Sequence, residues 1–584
     1  MDKNTLLAFL FITLLLILYP RFFLFNKKNP PAIPTSNLRS QDSNKIEPSV
    51  PPPSGVMSTT TPLLNAGQAN EMNEIPSHTI FVSTPLFEAR FSSRGAVLTD
   101  WRLKKFTDSQ HQPLSLFEKN DEGILAISVG DIPTLALPFK TEVDSLEIID
   151  APKTLVFYYA HPQGYAITKR FIFHPHAYLF DLEIEILPGA GQKSPKTITT
   201  YWHVGIHETE AHQNPAYKTT AGIILTGGEL ENIHGEKFLK ENAPAKFYKE
   251  FQGITTWSGL RNKYFLGTLI FPPESDVLSQ FYLAKDSVGQ IHPEGLLNFK
   301  TTIDLPASPV HRTLRQSVYL GPIQLSSLTQ QDYQLDKVMF TGYNWFLRAD
   351  LWFPGLCKIV LKILNYLYGL IPNYGVAIIL LTFLIKLITY PLTAKSTKSM
   401  SKMGELKPRL EKLKAKYETD PKLKNDPRNK QKFQMEQMKL MRDHGVNPLG
   451  GCLPMVVQMP IFISLFVTLR AAIELKSAPF LAWINDLSQP DILFYIPFKI
   501  PLYGDFVCLL PFLNGLTMYF TMTSQGSSVM RDPNQKMMMY FMPVFIFLIS
   551  NQFPSGLVLY WTVSNILQII QQILIKKKTA PLTA

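Results

Sequence analysis

With 584 residues, of which 46% are hydrophobic and 18% charged, the chain is too long for a single core and divides into two or three domains. The formal net charge of +11 invites a nucleic-acid reading, but most of the basic excess lies between two apolar runs near the C-terminus. It therefore reads as a membrane-facing loop, and no specific nucleic-acid partner is expected.

Leu6 to Tyr19 is an apolar run that continues through Phe22, Phe23, Leu24 and Phe25, long enough to cross a bilayer. Bulky Tyr19-Pro20-Arg21-Phe22 stands where a signal peptidase would need small residues, so 1–28 is expected to be an uncleaved signal-anchor helix. Residues 29–75 are rich in Pro, Ser, Thr and Asn and read as a linker.

From 76 to 335 the pattern is alternation. Phe180, Leu182, Ile184 and Ile186 point one way and Asp181, Glu183 and Glu185 the other, as a half-buried antiparallel strand requires. Many such short runs separated by Gly, Pro, Asn and Asp predict an all-β sandwich. Cys357, Cys452 and Cys508 all lie in the later, apolar part, so this domain has no disulfide framework and no cysteine-based metal site. His203, His207, Glu208, Glu210 and His212 come near a zinc-protease motif. Its histidines must be four apart on one helix face, whereas His207 and His212 are five apart in a strand-like context. No metal and no cofactor are expected.

Residues 336–372 read as a linker followed by an interfacial helix. Leu356, Ile359, Val360, Ile363, Leu364 and Leu367 make its apolar face, and Lys358, Lys362 and Asn365 its polar one. A core of five spans follows within 373–578, at 374–392, 452–473, 506–523, 537–553 and 555–575. Between the first two, 393–447 predicts a basic helical hairpin, with Met403, Leu406, Leu410, Leu413 and Tyr417 facing Phe433, Met438 and Met441. The tail is 579–584. The fold class is thus a polytopic α-helical membrane protein, six transmembrane helices of which five form the core, with an all-β domain inserted after the first.

The positive-inside rule places the basic hairpin and Lys576-Lys577-Lys578 in the cytoplasm. Counting back through the spans puts both termini inside and the β domain outside. Arg21, Lys27 and Lys28 disagree locally, but the larger bias of hairpin and tail decides.

Lys386 is the candidate functional residue. It sits inside Ile378–Ile388, where an isolated cation costs about 2.5–3.5 kcal/mol, so it should face protein or water. Snorkelling toward the cytoplasmic end, marked by Pro391 and Lys395, is the alternative. None of the five spans contains Asp or Glu to neutralise it, while Thr382, Gln458, Asn514, Ser564, Asn565 and Gln568 offer uncharged polar groups. Together these would line a wet groove; taken singly, each is a helix–helix hydrogen bond. Pro454, Pro460 and Pro543 interrupt apolar segments and suit a bundle around a partly open cavity, and Met537, Met538, Met539 and Met542 form a deformable apolar surface.

Thr389-Tyr390-Pro391-Leu392-Thr393, Asn447-Pro448-Leu449-Gly450-Gly451-Cys452-Leu453-Pro454, Gln458-Met459-Pro460-Ile461-Phe462 and Phe553-Pro554-Ser555-Gly556-Leu557-Val558-Leu559-Tyr560 resemble the YidC/Oxa family of membrane protein insertases. Position, size and the Ser93-Arg94-Gly95-Ala96 start make the soluble domain similar to the family's periplasmic β-supersandwich. The resemblance implies a non-enzymatic insertase and chaperone of the bacterial inner membrane. Nascent membrane proteins would reach it from the ribosome or beside the SecYEG translocon. They would enter a hydrophilic groove open to cytoplasm and phospholipid bilayer. It also implies that Lys386 occupies the groove position where most relatives carry Arg, and that Thr382, Gln458, Tyr560 and Trp561 line the groove. The chain has no phosphate-binding Gly-rich loop, in keeping with insertion driven by partition into lipid. A secondary transporter would show repeated halves and intramembrane carboxylates, and neither is visible. A membrane-anchored carbohydrate-binding protein would show a concave set of carboxylates or histidines, and no such set stands out.

Overall fold

A computed structural model describes residues 77–108, 112–117, 123–160, 165–187, 195–206, 221–234, 248–283, 297–305, 312–330, 332–340, 349–419, 427–444, 453–501, 503–524 and 533–579. The expected signal anchor, the linker at 29–75, His207–His212 and the tail beyond 579 lie outside these residues. His203 is described and stacks on Tyr201 with ring centroids 5.1 Å apart.

The β domain consists of two antiparallel layers. In one, the strand Leu179–Leu187 lies between Ala166–Phe173 and Arg312–Pro322. Phe180, Leu182, Ile184 and Ile186 are fully buried, as their alternation predicts. On the opposite face Glu185 pairs with Arg170 at 2.7 Å and Glu183 with Arg315 at 2.9 Å. The second layer runs through Phe87–Ser92, Val97–Thr107, Ile124–Val129, Thr197–Trp202, Leu297–Asp304 and Asp276–Leu283. One long strand, Tyr248–Arg261, joins the layers: its first half pairs with Asp276–Leu283 and its second with Ala221–Thr226 and Phe265–Ile270. Gly253, at φ +145°, sits where the strand changes layer, a bend that a side chain would strain. The faces meet over aromatic rings, with Trp101 stacked 5.5 Å from Phe180 and Phe91 tilted 4.8 Å from Phe171.

Among the described residues, seven helices form the second body: α1 (Ala349–Leu370), α2 (Tyr374–Thr419), α3 (Pro427–Asp443), α4 (Leu453–Ala471), α5 (Leu509–Ser524), α6 (Pro533–Ser550) and α7 (Ser555–Thr579). Two stretches within them, Tyr374–Ser399 and Ser555–Ile575, are long and apolar enough to cross a membrane; Val457–Ala471 and Met539–Ser550 are shorter apolar helical stretches.

Span and hairpin share one helix across 393: α2 runs unbroken for 46 residues and carries Pro391 and Pro408 internally. A proline removes one intrahelical bond, which packing against neighbouring helices tolerates. The expected span 506–523 starts at Leu509, since Gly504–Cys508 is a strand paired with Ile492–Ile500. Apolar content alone does not separate a short buried strand from a helix end. The apolar residues of α1 divide between the protein core and the surface. Phe353, Cys357, Val360, Leu361, Leu364 and Leu367 are buried, whereas Ile359 and Ile363 are exposed. Packing against α4, where Thr468 Oγ1 donates to the Cys357 carbonyl at 3.4 Å, selects that face.

The hairpin forms from the end of α2 and α3. Leu406 and Met441 are buried together, and Tyr417 meets Phe433 edge-on at 5.5 Å. Met438, expected to face α2, is exposed.

A polar seam between the apolar helices

The helix α7 carries a polar stripe: Tyr560, Ser564 and Asn565, Gln568, and Gln571 with Gln572 recur at three- and four-residue spacing. From Tyr560 to Gln572 the stripe covers about 18 Å of helix axis. Three neighbouring helices supply its partners.

Lys386 comes from α2 and is 9% exposed. Its Nζ donates to Gln568 Oε1 at 3.0 Å, and Gln571 Nε2 donates to the Lys386 backbone carbonyl at 3.1 Å. Among the described residues, the Gln568 amide is the one side-chain acceptor within reach of the ammonium. An ammonium has three donors, and one side-chain acceptor leaves room for water or an anionic group.

From α4, Gln458 Nε2 donates to the Tyr560 hydroxyl at 3.0 Å, and Phe462 stacks on Trp561 at 5.0 Å. From α5, the Asn514 Oδ1 accepts from Asn565 Nδ2 at 3.1 Å, and Thr521 Oγ1 donates to the Asn565 carbonyl at 3.3 Å. Asn514 is 1% exposed and its own Nδ2 has no hydrogen-bond partner. At the far end Ser524 Oγ donates to Gln572 Oε1.

The nine sequence candidates thus divide, with Ser564 hydrogen-bonded to Tyr560 one turn earlier on α7. Lys386 and Gln568 meet directly, as do Gln458 with Tyr560 and Asn514 with Asn565, while Trp561 stacks beside them. Thr382 does not join: it is fully buried and donates to the Ile378 carbonyl of its own helix at 2.6 Å. Such back-bonding is a common fate of threonine in an apolar helix. Sequence reading missed Gln571, Gln572, Thr521 and Ser524. The continuation of the α7 periodicity beyond Gln568 was the available signal for the two glutamines.

The outer faces are apolar. Phe383, Leu387 and Ile388 on α2 are more than half exposed, a surface suited to hydrocarbon.

Comparison with known proteins agrees with this architecture. The family model "60Kd inner membrane protein" matches residues 366–581, and "YidC periplasmic domain" matches 79–353. The chain is 30% identical, over 588 residues, to the membrane protein insertase YidC of Prosthecochloris aestuarii, covering 99% of this chain and 95% of the relative. It is 31% identical over 600 residues to that of Chlorobium limicola, with the same coverage. A crystal structure of an active YidC insertase aligns over 85% of this chain and 92% of its own length, at 20% identity and a TM-score of 0.34.

Proposed function

The chain belongs to the YidC family of membrane protein insertases, and from that premise we propose that it inserts client helices along the polar seam, with Lys386 attracting the acidic end of the client. It is an inner-membrane insertase, and its substrates are nascent membrane proteins. The buried Lys386 ammonium, with one amide acceptor and no carboxylate, is the observation that carries the mechanism.

A polar or acidic tail entering from the cytoplasm exchanges bulk water for the amides and hydroxyls of α7 and for the Lys386 charge. The seam thereby shortens the apolar distance that the tail must cross. The client's apolar helix then leaves sideways into lipid, and its partition supplies the driving force, so no nucleotide is required. Gln458, Asn514, Tyr560, Trp561, Asn565 and Gln568 line the path in this proposal, and Thr382 packs behind it. Six spans, both termini in the cytoplasm and the β domain in the periplasm follow from the charge bias of the hairpin and tail. Delivery by the ribosome and cooperation with SecYEG belong to the same proposal.

The test uses the purified chain in protein-free liposomes and a short client with an acidic tail, with protease protection as readout. Insertion by wild type and Lys386→Arg, with loss in Lys386→Glu, supports the groove charge. Equal insertion by all three removes Lys386 from the mechanism and leaves the insertase in place.

A further inference from the structure

Between α4 and α5 the chain forms a β-hairpin, Ile492–Ile500 paired with Gly504–Cys508, whose sequence Ile492-Leu-Phe-Tyr-Ile-Pro-Phe-Lys-Ile500 is almost entirely apolar. A two-stranded hairpin in water needs one face covered. Here Leu493, Phe494 and Tyr495 are consecutive and all exposed, at 46%, 56% and 56%. Because successive strand residues point to opposite faces, both faces are bare. Phe498, beyond Pro497, is 64% exposed.

The base of this hairpin is firmly built. Asp491, 5% exposed, accepts from Trp483 Nε1 at 2.9 Å and from the Leu509 and Leu510 backbone N–H groups at 3.1 and 2.8 Å, which caps α5. Asn551, in the turn between α6 and α7, donates to the Tyr503 and Phe506 carbonyls at 2.9 and 2.8 Å and accepts from Cys508 N–H at 3.2 Å. Buried polar groups thus fix the root in place while the aromatic strand is left open.

We propose that this hairpin is an interfacial membrane anchor, its aromatic strand seated in the headgroup–acyl boundary of the phospholipid leaflet at that end of the bundle. Surface continuity argues for lipid as the occupant. Phe512, Leu516 and Phe520 form an exposed apolar stripe along α5, and Phe547 packs against both Phe512, at 6.3 Å, and Tyr503, at 5.4 Å, linking stripe and hairpin. Side-chain chemistry fits the boundary: a phenol at Tyr495, phenyl rings at Phe494 and Phe498, and an exposed Lys499 able to reach phosphate. The anchor rests on the chain being a membrane protein and is independent of the role given to Lys386.

The test places the full chain in phosphatidylcholine nanodiscs and introduces Phe498→Trp, with wild-type emission subtracted. We expect the added emission to fall about twofold when lipids carry bromine near the headgroup end of the acyl chain, and to resist aqueous iodide. Quenching by iodide without quenching by bromolipid puts the strand in water and overturns the proposal. Shielding from both quenchers means that protein, such as a second copy of this chain, covers it, which also overturns the proposal. Tyr495→Trp on the same strand gives an independent reporter if the first variant folds poorly, and the readout stands whether or not the protein inserts clients.

Discussion

The β domain and the helical body each bury a lysine, and they satisfy it in opposite ways. Lys169, fully buried in the strand Ala166–Phe173, donates to three backbone carbonyls: Ala96 at 2.6 Å, Leu125 at 2.7 Å and Gly95 at 3.3 Å. Those residues have φ of +48°, +66° and +74°, a region that costs Ala and Leu conformational energy and turns their carbonyls inward. Three donors meet three acceptors, so Lys169 has nothing left to offer a ligand and acts as a staple from its strand to the Gly95–Ala96 turn and the strand Ile124–Val129. Lys386 has one amide partner and spare donors. Burial of a charge is therefore no mark of function by itself; the number of partners left unfilled separates the two cases.

Replacing Lys169 by Met should have the largest effect, because it orphans three buried carbonyls. We expect a loss of about 3 kcal/mol of β-domain stability, read by urea unfolding of the detergent-solubilised chain, with insertion per folded molecule unchanged. Unchanged stability would erase the contrast. The same lysine predicts a pH dependence. Burial lowers its pKa from 10.5 to about 7, so between these values the unfolded chain holds the proton while the folded one releases it and keeps two N–H donors for the three carbonyls. Stability should then rise with pH from about 7 toward 10, and this slope should be missing in Lys169→Met.

The opposite substitution pattern is expected in the helical body. Lys386→Glu should lower insertion of an acid-tailed client about tenfold, equivalent to about 1.4 kcal/mol, while the thermal transition persists. Unfolding of that variant would make Lys386 a staple too. The smallest expected effect is that of Asn565→Leu. Loss of its bond to Asn514 should destabilise the bundle by about 1 kcal/mol, measured by unfolding in mixed micelles. A tenfold insertion defect without destabilisation would extend the functional part of the seam to α5.

Much of this was legible beforehand, for local reasons. Period-two alternation revealed the strand Leu179–Leu187, and the absence of Asp or Glu from the apolar runs isolated Lys386. The staple was readable in part, since Lys169 shares parity with buried Ile167, Phe171 and Phe173. Its three acceptors were not, because they come from a turn and a strand more than 40 residues away.

By itself the sequence determined which segments are apolar, which alternate, and that Lys386 lies deep within an apolar run, because these properties depend on neighbours along the chain. Tertiary structure alone decided that Gln568 meets Lys386, that Thr382 turns to its own helix, that α1 hides Cys357 rather than Ile359, and that Gly504–Cys508 pairs as a strand. A buried polar group is satisfied by whichever donor or acceptor comes within about 3 Å, and that depends on which helices touch.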